Sequence, residues 1–141
     1  MDMGAADAMY EADVTGVVAL ASVVRSCTAL TSLDLAAAQL CGSPDCGSPL
    51  TEGIIAIAEA MAGARKLALV DLSGNNITAW NGLYGMDSRS DTAGVDAVLK
   101  ALDANASLGL VVMRRNKIGF ATQTKLRERY RLSGRLQLDS I

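Results

Sequence analysis

Histidine is absent from this chain of 141 residues, and aromatic residues are scarce: one Phe, three Tyr and one Trp. The absence of histidine removes the commonest acid–base catalyst and metal ligand. This argues against an enzyme and against a bound metal or other cofactor. Because half of the residues are hydrophobic, the core must be built from Leu, Val, Ile, Ala and Met. Such small fillers suit a stack of similar layers better than a globule built around aromatic side chains.

Cysteine is also scarce: the chain has only Cys27, Cys41 and Cys46. A disulfide-stabilised secreted domain would need an even and denser set, so reduced thiols are favoured. No run of about 18 apolar residues exists, and a membrane span is therefore not expected. Residues 1–15 contain four acidic side chains and no basic one, unlike secretory or transit peptides. We expect a cytoplasmic protein.

The net charge of −2 conceals an uneven distribution. Residues 1–113 carry 5 basic and 13 acidic side chains, whereas residues 114–141 carry 8 basic and 2 acidic ones. We interpret the basic end first as a polar cap that keeps a terminal unit soluble. An acidic protein partner is the second interpretation. Nucleic acid comes last, because no aromatic interleaving or recognised nucleic-acid motif accompanies the charges.

One template of eleven residues, Leu-x-x-(Leu/Val)-x-(Leu/Met)-x-x-(Asn/Ala)-x-(Leu/Ile), occurs three times, at 30–40, 67–77 and 108–118. Each copy begins fourteen residues after a glycine, which is Gly16, Gly53 or Gly94. Between glycine and template, the apolar residues share one face of a helix. Within the template, alternate residues are apolar, as in a strand with one buried face. Each unit is therefore predicted to contain one helix and one short strand.

This pattern resembles the ribonuclease-inhibitor-like class of leucine-rich repeats, which also occurs in NOD-like receptors and Ran GTPase-activating proteins. The resemblance covers about residues 16–138. It implies an α/β solenoid, a short right-handed horseshoe arc with parallel strands on the concave face and helices on the convex face. We expect about three full repeats and a partial fourth in residues 16–141, after an N-terminal leader or cap in residues 1–15.

The resemblance implies a non-catalytic module that binds a protein partner through the concave strands and the loops between strand and helix. An alternative is a regulatory factor of the Ran-activating type, which would act on a GTPase through a polar residue of these loops. A further alternative is a fragment of a longer NOD-like-receptor-type protein, since no strand precedes Gly16. Exposed ends of so short a stack could also drive self-association.

The spacing also predicts a fourth unit and two insertions. A regular unit of this class has about 28 residues, so a fourth helix should place Leu126 and Tyr130 in the core and Leu136 in the slot of Leu108. The longer first and second intervals place insertions at 41–52 and 78–93, on the rim where such insertions often bind. We interpret the first insertion as an ordinary loop; a Cys41–Cys46 disulfide or a metal site is less favoured.

The template assigns structural roles to eight residues. Six are buried strand positions and two are asparagines that bond backbone groups at the bend after the strand. In the first unit Ala38 replaces the asparagine, so that bend is expected to lack a hydrogen-bonding partner. The eight residues are Leu33, Leu35, Val70, Leu72, Asn75, Val111, Met113 and Asn116.

The candidate partner-binding residues fall into two groups. On the predicted concave face, Asp34 and Asp71 should stand side by side, because neighbouring strands lie about 4.8 Å apart. The alternative for this pair is simple solvation. The second insertion supplies residue types enriched at protein interfaces, although its Trp and Tyr could instead cover the end of the stack. The full set is Asp34, Asp71, Ser73, Arg114 and Arg115 on the face, and Trp80, Tyr84, Met86 and Arg89 in the insertion.

Deleting residues 80–90 distinguishes these two interpretations of the insertion. We expect the thermal unfolding midpoint to stay close to that of the full chain, because a loop on the rim contributes little to the core. A fall of more than about 5 °C would instead show that Trp80 and Tyr84 pack into the core. Deletion of residues 42–49, which contain no aromatic residue, is the control for shortening a loop.

Overall fold

Helices and strands alternate along the computed structural model, which describes residues 14–41, 50–78 and 92–140. All four strands are parallel and follow the order β1-β2-β3-β4. The chain is therefore an α/β protein with a repeat-like arrangement, as the template predicts. The elements are α1 (Thr15–Ser26), β1 (Ser32–Asp34), α2 (Glu52–Gly63), β2 (Leu69–Asp71), α3 (Ala93–Ala104), β3 (Leu110–Val112), α4 (Phe120–Tyr130) and β4 (Leu136–Gln137).

The core lies between the helices and the inner face of the sheet. Val70 and Val111 pair in register at the centres of β2 and β3, and both are fully buried. The next alternate residues, Leu72 and Met113, are fully buried as well. Leu33 in the first strand is only partly buried, because within the described residues β1 has a neighbour on one side alone. Of the six predicted inward residues, five are buried and Leu33 is partly buried.

Glycine occurs at the start of α2 and α3 because another chain segment passes very close. A Cβ atom on Gly53 would lie 2.3 Å from the Leu40 carbonyl oxygen, and one on Gly94 would lie 2.7 Å from the Ile77 carbonyl oxygen. Real Cβ atoms do not approach so closely. At Gly16, by contrast, a Cβ would meet no described atom within 4 Å. The repeated glycine therefore reflects helix-to-neighbour contact, which the first unit lacks among the described residues.

In the bends after the strands, backbone groups form hydrogen bonds with a side chain of the following unit. Asn75 accepts hydrogen bonds from the N–H groups of Ala38 (3.0 Å) and Leu40 (3.2 Å), and its amide donates to the carbonyls of Leu35 and Leu72, both at 2.8 Å. The bend at Ala38 therefore keeps its hydrogen-bonding partner, contrary to the expectation from sequence. The acceptor belongs to the next unit rather than to the bend itself.

Asn116 repeats this arrangement one unit later. Its side-chain oxygen accepts from the N–H groups of Asn75 (2.8 Å) and Ile77 (3.4 Å), and its amide donates to Leu72 and Arg114. Both asparagines are almost completely buried, so each replaces the water that these backbone groups lose. Both asparagines therefore bond backbone groups at the bends after the strands.

In the turns from helix to strand, backbone carbonyls likewise accept hydrogen bonds from side chains of the following unit. Asn105 donates to the carbonyls of Met61 (2.8 Å) and Ala64 (2.9 Å) at the end of α2, and Ser107 donates to Leu67 (2.8 Å). One unit later a single side chain performs all three tasks. Arg135 donates to the three equivalent carbonyls, those of Leu102 (2.7 Å), Asn105 (2.8 Å) and Leu108 (2.8 Å).

The fourth unit has the predicted helix but a different strand register. Leu126 and Tyr130 are buried, in agreement with the spacing of 28 residues. Leu136, however, pairs with Val111 instead of occupying the slot of Leu108, so the predicted strand position is wrong by three residues. The spacing from the buried helix residue Tyr130 to Leu136 is three residues shorter than the equivalent spacing from Leu102 to Val111. Arg135, just before β4, bonds the preceding unit.

Polar side chains join α4 to α3. Arg129 pairs with Asp103, and the Tyr130 hydroxyl donates to the same carboxylate at 2.8 Å. Burial, helped by the hydrogen bond to Asp103, raises the pKa of Tyr130 to about 12. Thr122 holds the slot that glycine fills in α2 and α3, and a cleft of about 550 Å³ separates the two helices beside Leu99.

Replacing Gly94 with alanine tests the close contact at the start of α3. The new methyl group would overlap the Ile77 carbonyl, so we expect the free energy of unfolding to fall by about 1–3 kcal/mol. Gly16→Ala is the matched control, because it adds the same methyl at the same unit position, where no described atom lies within 4 Å. Chemical denaturation that gave equal stability for the two variants would contradict this explanation.

Candidate interaction surface

The face of the sheet opposite the core carries a mixed row of side chains, and we call this the outer face. It consists of the alternate strand residues that do not enter the core. In β2 and β3 the first of these are Leu69, which is 41% exposed, and Leu110, which is partly exposed. Register places the two leucines side by side. The outer face residues are Ser32, Asp34, Leu69, Asp71, Leu110, Val112 and Gln137.

Asp34 and Asp71 are register partners in β1 and β2, as predicted. Each carboxylate also has a local structural task. Asp34 accepts a hydrogen bond from the Ala36 N–H at 3.0 Å, and Asp71 accepts one from the Ser73 N–H at 2.9 Å. Both bonds close an Asx turn, in which an aspartate side chain bonds the backbone two residues ahead. The pair is therefore built into the bends and does not merely face solvent.

The third position of this row departs from the first two. Val112 is the register partner of Asp71, so the third bend contains no aspartate at this point. Arg114 and Arg115 follow, and both are exposed. Ser73, by contrast, is only 4% exposed, and its burial separates it from the other candidate residues on this face.

The bends after β1, β2 and β3 each contain two residues in the left-handed region of backbone space. The equivalent pairs are Ala37 and Gln39, Gly74 and Asn76, and Arg115 and Lys117, with φ between 51° and 71°. This repeated backbone turns the chain sharply away from the end of each strand. Because parallel strands end at one edge of a sheet, the chain leaves β1 and β2 at the same edge before each insertion begins.

Both insertions therefore leave the same edge of the sheet. The Leu50 N–H bonds the Cys41 carbonyl at 3.0 Å, which closes the base of the first insertion. The Thr78 hydroxyl bonds the carbonyls of Asn116 and Lys117 at the start of the second. Four candidate residues of the second insertion lie outside the described residues, as do Cys46 and residues 1–13 of the N-terminal leader. The four are Trp80, Tyr84, Met86 and Arg89.

Several basic residues of the C-terminal segment hold the fourth unit in place. Arg127 bonds Gln123 and the Asp139 carbonyl, Arg129 pairs with Asp103, and Arg135 bonds three carbonyls of the unit before it. These interactions connect parts of the fourth unit to one another and to the unit before it. Arg114 and Arg115 of this segment are exposed in the bend that follows β3.

Metal binding has no support in the three described ranges, which contain no group of three or more His, Cys, Asp or Glu side chains able to hold an ion. Cys41 is buried and Cys27 is exposed. None of the helices in the same ranges is long and apolar enough to cross a membrane.

The fold and the outer face define a repeat-like α/β protein with a four-stranded parallel sheet. No protein-family model, curated protein or solved structure matches the chain. The architecture is compatible with a leucine-rich repeat, and the internal equivalence of the units is the evidence for that interpretation.

The sequence interpretation missed two features of this surface. Leu69 was not predicted as an exposed residue, although it stands one position before Val70 and thus on the opposite face of the strand. Arg135 was assigned to a basic segment rather than to the turn that it bonds. Its signal in the sequence is the missing Asn-x-Ser that precedes β3 at Asn105 and Ser107 but does not precede β4.

Substitutions at Asp71 test its structural task. Asn keeps an oxygen that accepts from the Ser73 N–H, so Asp71→Asn should change the free energy of unfolding by less than about 0.5 kcal/mol. Asp71→Ala removes the acceptor and should cost about 1 kcal/mol. Urea denaturation of both variants measures the difference. Equal losses of stability would contradict the assigned Asx turn.

Proposed function

We propose that this chain is a short leucine-rich repeat module that binds a protein partner through the outer face of its sheet. In a curved repeat stack this would be the concave face. The observation that carries the proposal is the exposure of Leu69 beside its register partner Leu110. Further along the same face, Val112 pairs with Asp71, and two exposed arginines follow in the bend after β3.

An apolar strip with charged neighbours is the composition of a protein interface core and its rim. The helices cannot bury this strip, because the core places them on the other side of the sheet. The insertions support the same proposal, since both emerge at one edge of the sheet and can extend the contact area. The second contains Trp80, Tyr84, Met86 and Arg89, residue types that are enriched at protein interfaces.

A non-catalytic, cytoplasmic interaction module is the form of this proposal that fits the composition best. The chain has no histidine, and its aspartates at the outer face serve backbone turns. GTPase activation, a place in a longer NOD-like-receptor-type protein and self-association through the ends of the stack are the alternatives that the resemblance suggests. The observations on the outer face favour the binding module over these.

Site-specific photo-crosslinking tests the proposed surface. A photo-reactive amino acid at position 69 should capture a partner from an extract of the source cells, and the same group at position 23 should not. Val23 is a suitable control because it is 62% exposed but lies on α1. Free unlabelled protein with Leu69→Arg should compete poorly for the captured partner.

Equal capture from positions 69 and 23, or full competition by the Leu69→Arg protein, would contradict binding through the outer face. Measuring GTP hydrolysis by a panel of small GTPases, with and without this chain, tests the GTPase-activating alternative. Acceleration of hydrolysis in this panel would favour that alternative over a passive binding module.

A further inference from the structure

The three bends of the outer face differ in one hydrogen bond. In the first two units an aspartate carboxylate accepts from the N–H two residues ahead, at Ala36 and at Ser73. In the third unit Val112 occupies the aspartate position, and the equivalent donor is the N–H of Arg114. Within the described ranges no acceptor lies on this N–H. The Arg114 N–H of the third bend is therefore without an acceptor among the described residues, whereas the Ala36 and Ser73 N–H groups of the first two bends each bond an aspartate.

The surroundings of this donor contain charges of both signs, since Asp71 is the register partner of Val112 and Asp139 lies at the next N–H, beside Arg114 and Arg115. The Arg114 side chain is exposed and forms no ion pair with any described residue. The next N–H, that of Arg115, already bonds the Asp139 carboxylate at 2.8 Å. One N–H of this bend, that of Arg115, thus already bonds a carboxylate. The neighbouring Arg114 N–H is a second position at which a carboxylate can bind.

The neighbouring outer face is aliphatic. Leu69 and Leu110 are register partners, and Val112 stands two residues beyond Leu110 on the same side of β3. A group bonded to the Arg114 N–H would sit at one end of this strip. A ligand that combines a carboxylate with an adjacent branched aliphatic side chain matches both parts.

We propose that the Arg114 bend binds a carboxylate of an acidic, aliphatic segment of a partner protein, in the position that aspartate fills in the first two units. This inference rests on the proposed function and specifies the chemistry of its partner. Asp34 and Asp71 define the register of the segment, because they already occupy the first two positions and repel a second carboxylate there. The partner's acidic residue therefore docks at the third strand.

Nuclear magnetic resonance of the ¹⁵N-labelled full chain tests this assignment with two matched probes. The probes are acetyl-Leu-Glu-Leu-Leu-amide and the same peptide with Gln in place of Glu. We expect the Glu peptide to move the Arg114 amide resonance together with those of Leu69 and Leu110. The Gln peptide should bind about tenfold more weakly, because a hydrogen bond to a charged acceptor is roughly twice as strong as a neutral one.

Two variants of the chain separate binding from stability. Val112→Asp restores the aspartate of the first two bends, so it should raise the thermal unfolding midpoint and weaken binding of the Glu peptide at least tenfold. Val112→Ala leaves the Arg114 N–H open and should weaken binding no more than about threefold, through lost apolar contact. Arg114→Gln, a surface change, should reduce the preference for Glu over Gln.

Three results would overturn the inference. They are equal affinity for the Glu and Gln peptides, unchanged binding to the Val112→Asp protein, and an equal response of the Arg114 resonance to inorganic phosphate alone. The last would mean a simple anion contact rather than peptide recognition. If Leu69 and Leu110 still responded to the peptides, the proposed outer-face function would survive this failure. That function fails separately if photo-crosslinking places the partner elsewhere.

Discussion

The repeated arrangement depends on the hydrogen-bonding needs of backbone groups that leave the sheet at a sharp bend. Each bend buries N–H and C=O groups that no strand partner can reach, and an unpaired buried group of this kind costs about 1–3 kcal/mol. Asn75 and Asn116 meet this need because one amide side chain both donates and accepts. Each makes at least four bonds to backbone atoms. The left-handed residues beside them bring the backbone groups within reach.

The same constraint explains why the units differ most where they meet solvent. Core positions such as Val70 and Val111 are interchangeable aliphatic residues. At the outer face, the residue before the bend can be aspartate, which satisfies its own turn, or valine, which does not. The units therefore differ in sequence mainly at the outer face and in the insertions. The repeated asparagines and glycines, by contrast, give the units similar backbone structure.

Much of the fold follows from the sequence because its periodicities have direct physical meaning. Equal spacing between units places Asp34 against Asp71, since parallel strands of equal register align equivalent residues. The register of β4 was not predictable in this way. Leu136 is an apolar residue that fits either of two inward slots, and only the bonds of Arg135 distinguish them. Likewise, the burial of Ser73 depends on neighbours in three dimensions that the template does not encode.

The direction in which the asparagines act has a consequence for synthesis of the chain. The acceptor for the Leu40 N–H lies 35 residues later at Asn75, and the donor to the Leu35 carbonyl lies 40 residues later in the same side chain. Because the ribosome synthesises the earlier unit first, the bend of each unit lacks these hydrogen bonds until the next unit has emerged. Folding of this protein is thus expected to follow translation from one layer to the next, with each new unit locking the previous one.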